Sequence, residues 1–257
     1  MQVGIDLGSR TIKTVALNAG ALLQRRVVES GLEPHRQALQ LLGDHPRARV
    51  VATGYGRHLM QQHANLDIIT EIKAHALGAR HLFPNCRAVL DVGGQDSKVI
   101  QLSENGRIVN FQMNDKCAAG TGRFLEMMAV SLGYDLKQFG LAAGQAQGGT
   151  GINSMCAVFA ESEVVSLKNM GVPPAEIAGS VHLAVASRLA GMVQKTGDCQ
   201  HLVFTGGVAN NQTLVAMLEK ALGVPVLVPE DPSITGALGA ALYAGCSCGC
   251  SDRFVPT

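Results

Sequence analysis

Charge is scarce in this chain of 257 residues. Charged residues make up 16% of it and the formal net charge is +1, which removes any electrostatic case for binding nucleic acid or an anionic membrane surface. No apolar run approaches the ~18 residues that a membrane-spanning helix needs. The amino terminus also lacks the basic stretch and apolar run of a secretory signal. We therefore expect a globular cytoplasmic protein that binds neither nucleic acid nor membrane.

Two familiar signatures are missing as well. The chain has no Walker-type phosphate loop and no Cys-x-x-Cys pair of the kind that marks a compact metal site. Its seven cysteines, an odd number in a reducing compartment, still favour metal or redox chemistry over a disulfide framework. Glycine is plentiful, at 30 of the 257 residues, and falls in short clusters. This pattern predicts loops whose backbone approaches a ligand closely.

The glycine clusters follow a motif that occurs twice. Ile5-Asp6-Leu7-Gly8-Ser9 and Leu90-Asp91-Val92-Gly93-Gly94 share the order apolar, Asp, apolar, Gly, small. Each motif joins two β-rich runs, and helical patterns follow in both halves. We therefore predict a duplicated α/β fold with two lobes and a cleft between them. The first lobe spans 1–84 and is completed by a C-terminal helix at about 234–257, and the second lobe spans 85–233.

Turns that combine aspartate with glycine suit phosphate, because glycine lets backbone N–H groups reach the oxygens while a carboxylate holds Mg²⁺. Asp6 is placed near the metal, and Lys13 either adds positive charge or is a solvated strand residue. Asp91 is a metal partner or the base that orients water, and Gln95 places the attacking water. These assignments make Asp6, Asp91 and Gln95 the predicted catalytic residues.

The predicted nucleotide contacts come from the two Asp-Gly turns and from a later Gly-Gly segment, which would accept the nucleoside. They are Gly8, Ser9, Arg10, Thr11, Lys13, Gly93, Gly94, Gln95, Asp96, Gly206, Gly207, Val208, Asn210 and Asn211. A single Asp-Gly turn is more often a plain hairpin corner. Two matching turns at equivalent points of a duplicated fold favour phosphate binding.

Cys117 and Cys156 each lie just ahead of a helical pattern. Helix N-termini carry unpaired N–H groups and a partial positive charge, which favour an anionic ligand. We interpret the two thiolates as half of an iron–sulfur site, since a cubane cluster takes four and a two-fold homodimer repeats each contact. In the alternative interpretation both are small buried residues near helix starts.

The order of these motifs resembles the activator ATPases of 2-hydroxyacyl-CoA dehydratases, within the BadF/BadG/BcrA/BcrD family. The likeness runs from about residue 3 to 245, and its most specific part is the cysteine segments, because actin, sugar kinases and Hsp70 chaperones share the phosphate turns. The matching segments are Asp6-Leu7-Gly8-Ser9, Thr53-Gly54-Tyr55-Gly56, Glu71-Ile72 with His75-Ala76, Asp91-Val92-Gly93-Gly94-Gln95-Asp96, Asn114-Asp115-Lys116-Cys117-Ala118-Ala119-Gly120-Thr121-Gly122, Cys156 with Glu161-Ser162-Glu163, and Gly206-Gly207-Val208-Ala209.

The resemblance implies a ribonuclease-H-like, actin-like ATPase fold that binds ATP or ADP with Mg²⁺. It also implies a homodimer that shares one [4Fe-4S] cluster, ligated by the positions that match Cys117 and Cys156. ATP hydrolysis would change the angle between the cluster-bound helices and drive a single electron to an iron–sulfur dehydratase or a related reductase. The donor would be a reduced ferredoxin or flavodoxin.

Two other functions remain open from the residues. One is a kinase of the same fold that phosphorylates a sugar or acyl substrate, and the other is a nucleotide-binding redox regulator. The segment Cys246-Ser247-Cys248-Gly249-Cys250 is not required by the family motif, and is either a flexible tail or an adventitious metal or redox site. His58, His63, His75 and His81 are interpreted as structural or exposed, although His75 falls on a position that matches the family.

Overall fold

The computed structural model describes residues 1–148, 151–152, 157–197 and 199–246. Its described part contains two five-stranded sheets. The first sheet is formed by β1 (Gln2–Leu7), β2 (Thr11–Asn18), β3 (Ala21–Glu29), β4 (Arg49–Thr53) and β5 (Asp67–Ile68). The second sheet is formed by β6 (Ala88–Val92), β7 (Ser97–Leu102), β8 (Ile108–Asn114), β9 (Leu202–Thr205) and β10 (Val226–Leu227).

The two sheets have the same topology. Their strand orders are β3-β2-β1-β4-β5 and β8-β7-β6-β9-β10, so each strand has a counterpart in the other sheet. In both, the first three strands pair antiparallel, and the fourth strand runs parallel to the first. The predicted duplicated α/β fold is confirmed, whereas the lobe boundary at residue 84 stays a prediction.

The helices lie on the faces of these sheets. They are α1 (Pro34–Leu42), α2 (Arg57–His63), α3 (Glu71–Leu82), α4 (Gly122–Ser131), α5 (Leu136–Gly144), α6 (Ala157–Asn169), α7 (Pro174–Thr196), α8 (Gln212–Leu222) and α9 (Thr235–Gly245). Local signals explain several of their ends. The Thr70 hydroxyl caps α3 by accepting from the Lys73 N–H at 3.2 Å, and Pro174 occupies the first turn of α7.

The central strands are buried because helices cover both faces of each sheet. All five residues of β6 are buried, and so are five of the six in β1. Such strands read as nearly continuous apolar runs, without the polar alternation of a strand with one solvated face. The exceptions in these runs are Asp6 and Asp91, which are buried carboxylates at matching points of the two sheets.

Helices α3 and α9 each pack against the sheet other than the one that they follow in the chain. Ala76 and Ala79 of α3 pack against the second sheet, although α3 follows the first sheet in the chain. Ala237 and Ala241 of α9, which follows the second sheet, pack against the first. The two helices cross with Gly239 against the Ala74 backbone, where a Cβ atom would overlap the Ala74 carbonyl oxygen. Only glycine fits this crossing.

Two local features depart from the simple sequence pattern. The apolar run over 224–228 forms a strand only at Val226–Leu227, and Pro225 before it has no N–H to contribute to a ladder. A short 3₁₀ helix, Gly207–Asn210, begins at the second glycine of the Gly-Gly segment and precedes α8. None of the described helices is both long enough and apolar enough to cross a membrane.

Candidate functional site

A cavity of about 650 Å³ lies between the two sheets. It is lined by the β1–β2 turn, the β6–β7 turn and the segment after β9. Every residue predicted to bind nucleotide or to act in catalysis lies on its wall: Asp6, Gly8, Ser9, Arg10, Thr11, Lys13, Asp91, Gly93, Gly94, Gln95, Asp96, Gly206, Gly207, Val208, Asn210 and Asn211. The structure therefore brings the whole set together, while the role of each residue stays a prediction.

The two turns have the same internal geometry. The Gly8 N–H donates to the Thr11 carbonyl at 3.1 Å, and the Gly93 N–H donates to the Asp96 carbonyl at 3.0 Å. In the first turn, Lys13 Nζ lies 3.0 Å from Asp6 Oδ2. Lys13 and Asp6 are paired residues on adjacent strands, so the sheet register fixes this ion pair beside the turn.

The second half holds a larger network around a lysine. Lys98 Nζ lies 2.7 Å from Glu71 Oε2, 2.8 Å from Asp96 Oδ1 and 3.5 Å from Asp91 Oδ2. Burial alone would lower the pKa of Lys98, but the three carboxylates outweigh burial and raise the pKa above its usual value. Lys98 therefore stays charged, and Glu71 links it to the helix that follows the first sheet.

Asp91 is also held from the side of α3. Its Oδ1 accepts a hydrogen bond from the Thr205 hydroxyl at 3.2 Å, and the same hydroxyl lies 3.1 Å from His75 Nδ1. Because the hydroxyl hydrogen goes to Asp91, His75 Nδ1 must be the donor to Thr205. Burial by itself would raise the pKa of Asp91, but the neighbouring His75 and Lys98 outweigh it and the pKa is lowered. Asp91 is thus an ionised carboxylate at neutral pH.

The third wall of the cavity is fixed by Asn211. Its Oδ1 accepts from the Leu214 N–H at 3.0 Å and so caps α8, while its Nδ2 lies 2.8 Å from His182 Nε2. His182 Nδ1 donates to the Ala178 carbonyl at 2.8 Å, so Nε2 is the acceptor. Burial lowers the pKa of His182, which keeps this neutral form and holds the Asn211 side chain in place.

Several cavity residues lie outside the predicted set, and His75, Glu71 and Lys98 are the most informative. His75 is buried, as a structural histidine would be, yet it lines the cavity and lies beside Asp91. Lys98 had a signal in the sequence, since it follows Asp91 at the same spacing as Lys13 follows Asp6. The remaining wall residues include Tyr55, Leu136, Lys137, Leu141, Gln212 and Thr213.

Cys117 lies outside the cavity, on the loop between β8 and α4. It is half-buried, and α4 begins only at Gly122. The N–H groups of Gly122 and Arg123 donate to the carbonyls of Gly93 and Gly94 at 2.9 and 2.8 Å. The expectation that the start of this helix offers unpaired N–H groups to an anion is therefore wrong for these two donors.

The second predicted ligand, Cys156, lies outside the described residues, as do Cys248 and Cys250. The helix expected after Cys156 is present as α6, which begins at Ala157. Within the described ranges, no cluster of three or more histidine, cysteine or acidic side chains is arranged to hold a metal ion. Of the two predicted cluster ligands, Cys117 is therefore the one that lies within the described residues.

Comparison with known proteins identifies the family. The model of the BadF/BadG/BcrA/BcrD ATPase family matches residues 3–244. The chain belongs to the BadF/BadG/BcrA/BcrD ATPase family. One relative in this family, the activator of lactoyl-CoA dehydratase from Anaerotignum propionicum, is 43% identical over 251 residues, which are 94% of this chain and 96% of that protein. The resemblance inferred from the motifs is thereby confirmed.

Solved structures agree on both family and fold. The activator of the 2-hydroxyisocaproyl-CoA dehydratase from Clostridium difficile, solved with bound ADPNP, has a TM-score of 0.87 and 38% identity, and the match covers 95% of this chain and 93% of that chain. A ROK family glucokinase from Streptomyces griseus has a TM-score of 0.62 at 13% identity, covering 95% and 99%. The glucokinase likeness shows the shared actin-like and sugar-kinase fold of this ATPase family and nothing about substrate.

Proposed function

We propose that this chain hydrolyses ATP in the cavity and thereby delivers a single low-potential electron to a 2-hydroxyacyl-CoA dehydratase or a related iron–sulfur reductase. The observation that carries the proposal is the 43% identity, over 94% of the chain, to a protein named as the activator of lactoyl-CoA dehydratase. The ADPNP bound to a 38% identical neighbour supports ATP as the nucleotide. A reduced ferredoxin or flavodoxin would be the donor.

The phosphates would lie between the two matching turns. Glycine backbone at Gly8 and Gly93 permits close approach of the oxygens, and Lys13 supplies a positive charge beside the first turn. Asp6 is the carboxylate that would hold Mg²⁺, which neutralises phosphate charge when bound. Lys13 already neutralises this carboxylate in part, which fits a contact to the metal through water.

Asp91 is the group that would act as the base that orients the attacking water. Its lowered pKa keeps it ionised, so that it can accept a hydrogen bond from the water, and Thr205 and Lys98 fix the orientation of the carboxylate. Gln95 is exposed on the cavity wall, where its amide would orient the water. Fixed orientation of base and water is the main contribution that such a site makes to hydrolysis.

The electron carrier would be a cluster shared by two subunits. Cysteine thiolates are the usual ligands of iron–sulfur clusters, and Cys117 presents one from a half-buried loop. Cys156 would be the second, and a two-fold homodimer would repeat both. When bound, a [4Fe-4S] cluster supplies one-electron chemistry, and the loop around Cys117 sets how exposed it is to a partner.

The decisive experiment is anaerobic purification followed by ultraviolet–visible and EPR spectra of wild type and Cys117→Ser. We expect about one four-iron cluster per dimer in wild type and loss of the cluster signal in Cys117→Ser. Cys246→Ser is the matched control, since Cys246 is an exposed cysteine at the end of α9. Wild type without iron after strictly anaerobic handling would contradict the proposal.

Electron delivery needs a separate assay. Reduced protein should reduce a 2-hydroxyacyl-CoA dehydratase only when ATP is hydrolysed, and ADPNP should not replace ATP. A sugar or acyl acceptor that stimulates ATP turnover, without any electron transfer, would indicate a kinase instead. ATP-independent reduction of the acceptor would also contradict the proposal, because no work would then be drawn from the nucleotide.

A further inference from the structure

Arg10 connects the two sides of the cavity. It belongs to the β1–β2 turn of the first sheet, and its Nε and one terminal nitrogen each lie 3.2 Å from Glu126 Oε1 on α4. The arginine side chain crosses directly over Gly94 of the second turn, where a Cβ atom would collide with Arg10 Cγ. Any side chain larger than glycine at position 94 would therefore obstruct this contact.

The helix that Arg10 reaches is tied to the loop that carries Cys117. Thr121, immediately before α4, donates through its hydroxyl to the Ala118 carbonyl at 2.6 Å. The Asn114 amide donates to the Cys117 carbonyl at 2.9 Å. The start of α4 is in turn bonded to the second turn through Gly93 and Gly94. Hydrogen bonds thus join the second turn to the start of α4 and to the Cys117 loop, and the first turn is joined to α4 through Arg10.

The pair formed by Arg10 and Glu126 is placed so that a nucleotide can compete for it. The side chains are 47% and 22% exposed, so water and salt screen the attraction and the pair is weak. A terminal phosphate between the turns carries more negative charge than one carboxylate and accepts the same forked hydrogen bonds from guanidinium. Glu126 keeps a second partner, Arg123, whose terminal nitrogen lies 3.0 Å from Oε2.

We propose that Arg10 passes from Glu126 to the terminal phosphate when the cavity fills, so that Glu126 is the residue through which nucleotide binding acts on α4 and the Cys117 loop. The inference rests on the proposed function, since ATP must bind in this cavity. It adds Glu126, which lies on the cavity wall, as a positioning residue that acts through Arg10 and α4.

The first test is the affinity for ADPNP with Mg²⁺, measured by calorimetry. Glu126→Gln removes the competitor for Arg10 and should tighten binding by about two- to fivefold, the range for an exposed ion pair. Arg10→Gln should weaken binding, and the gain from Glu126→Gln should vanish in the Arg10→Gln background. Arg123→Gln is the matched control, because it removes a cation from the same carboxylate without touching the cavity, and it should not tighten binding.

The second test follows the loop itself. Amide hydrogen exchange over residues 117–126 should change when ADPNP binds to wild type and to Arg123→Gln, and the change should be largely lost in Glu126→Gln. Unaltered affinity together with a retained exchange response in Glu126→Gln would overturn the proposal. If Glu126→Gln does not fold, Glu126→Ala, which removes the whole carboxylate, should give the same two results.

These outcomes are separable from failure of the proposed function. Both measurements use binding and need no electron acceptor. A protein that reduces its acceptor with ATP, yet shows wild-type behaviour in Glu126→Gln, would refute the link while leaving the function intact. If Glu126→Gln changes both ADPNP affinity and hydrogen exchange as expected, but the protein shows no ATP-dependent electron transfer, the proposed function is refuted and the role of Glu126 stands.

Discussion

The central strands of the two sheets carry equivalent side chains, but the surroundings of those side chains differ. Each half has an aspartate, a lysine paired with it across two strands, and a threonine on the neighbouring parallel strand. These are Asp6, Lys13 and Thr53 in the first half, and Asp91, Lys98 and Thr205 in the second. Among the described residues, Lys13 pairs with one carboxylate and 15% of its side chain is exposed, whereas Lys98 pairs with three and is 3% exposed.

The two copies of the duplicated motif therefore place their lysines in different environments. The first half keeps a lysine beside an open turn, where it can meet a phosphate. The second half surrounds its lysine with carboxylates, so the lysine orients Asp91 and joins it to α3 through Glu71. Both turns line the cavity, but only in the second half is the aspartate held by a buried lysine with several carboxylate partners.

The largest expected effect comes from exchanging the two aspartates for asparagine. Asp91→Asn should lower kcat for ATP hydrolysis by about 100- to 10,000-fold with little change in KM, because it removes the predicted base and keeps the shape. Asp6→Asn should mainly raise the Mg²⁺ concentration needed for half-maximal rate. Steady-state ATP turnover across a Mg²⁺ series checks both, and equal loss of kcat in the two variants would show that the halves are not specialised.

The lysines should differ in stability. Lys98→Met leaves three carboxylates without their buried cation and should cost about 3–5 kcal/mol of unfolding free energy. Lys13→Met breaks one partly exposed pair and should cost about 1–2 kcal/mol. Urea unfolding of both variants at neutral pH measures the difference. Similar costs would mean that Lys98 is solvated in the native state, against its observed burial.

A pH series tests the same contrast. Because the pKa of Lys98 is raised on folding, its stabilisation is fully present below about pH 10.4, the lysine value in unfolded chains. The stabilisation is lost as the pH rises through the folded pKa. Above about pH 10.4 the advantage of wild type over Lys98→Met should therefore shrink by up to ~1.4 kcal/mol per pH unit. An advantage that stays constant up to about pH 11.5 would contradict this assignment.

The threonines give the smallest effect. Thr205 bridges His75 and Asp91, so Thr205→Val should cost about 1 kcal/mol. The buried Thr53 hydroxyl has no hydrogen-bond partner among the described residues, so Thr53→Val should change stability by less than about 0.5 kcal/mol. Thermal unfolding of the two variants, analysed with the same heat capacity of unfolding, measures both losses of stability. A larger loss in Thr53→Val than in Thr205→Val would contradict this prediction.

Much of the fold and of the cavity was predictable because both depend on local pattern. The repeated Asp-Gly motif predicts the paired turns, and apolar runs predict the central strands. Lys98 was open to prediction from the same repeat, because it stands in its half of the chain where Lys13 stands in the other. The contacts of His75 were not, because α3 crosses to the second sheet and brings together residues with no shared periodicity.

The contact of Arg10 with Glu126 could not be predicted from the sequence for a similar reason. The two residues are far apart in the chain, and only the closed arrangement of the two turns brings them within 3.2 Å. The start of α4 shows that the exact first residue of a helix is also hard to predict from sequence. A loop that ends in Thr121 delays the helix after Cys117 until Gly122, and helix patterns from sequence do not fix such boundaries.

The crossing of α3 and α9 has a consequence for how the protein is made. The first sheet has left the ribosome's synthetic site by β5, yet the helix that covers its inner face, α9, begins only at Thr235. At ~5–20 residues per second, synthesis of the chain between the end of β5 and the start of α9 takes on the order of 10–30 s. During that interval Val15 and Leu17 have no native cover, so nascent chains should depend on chaperones until translation is nearly finished.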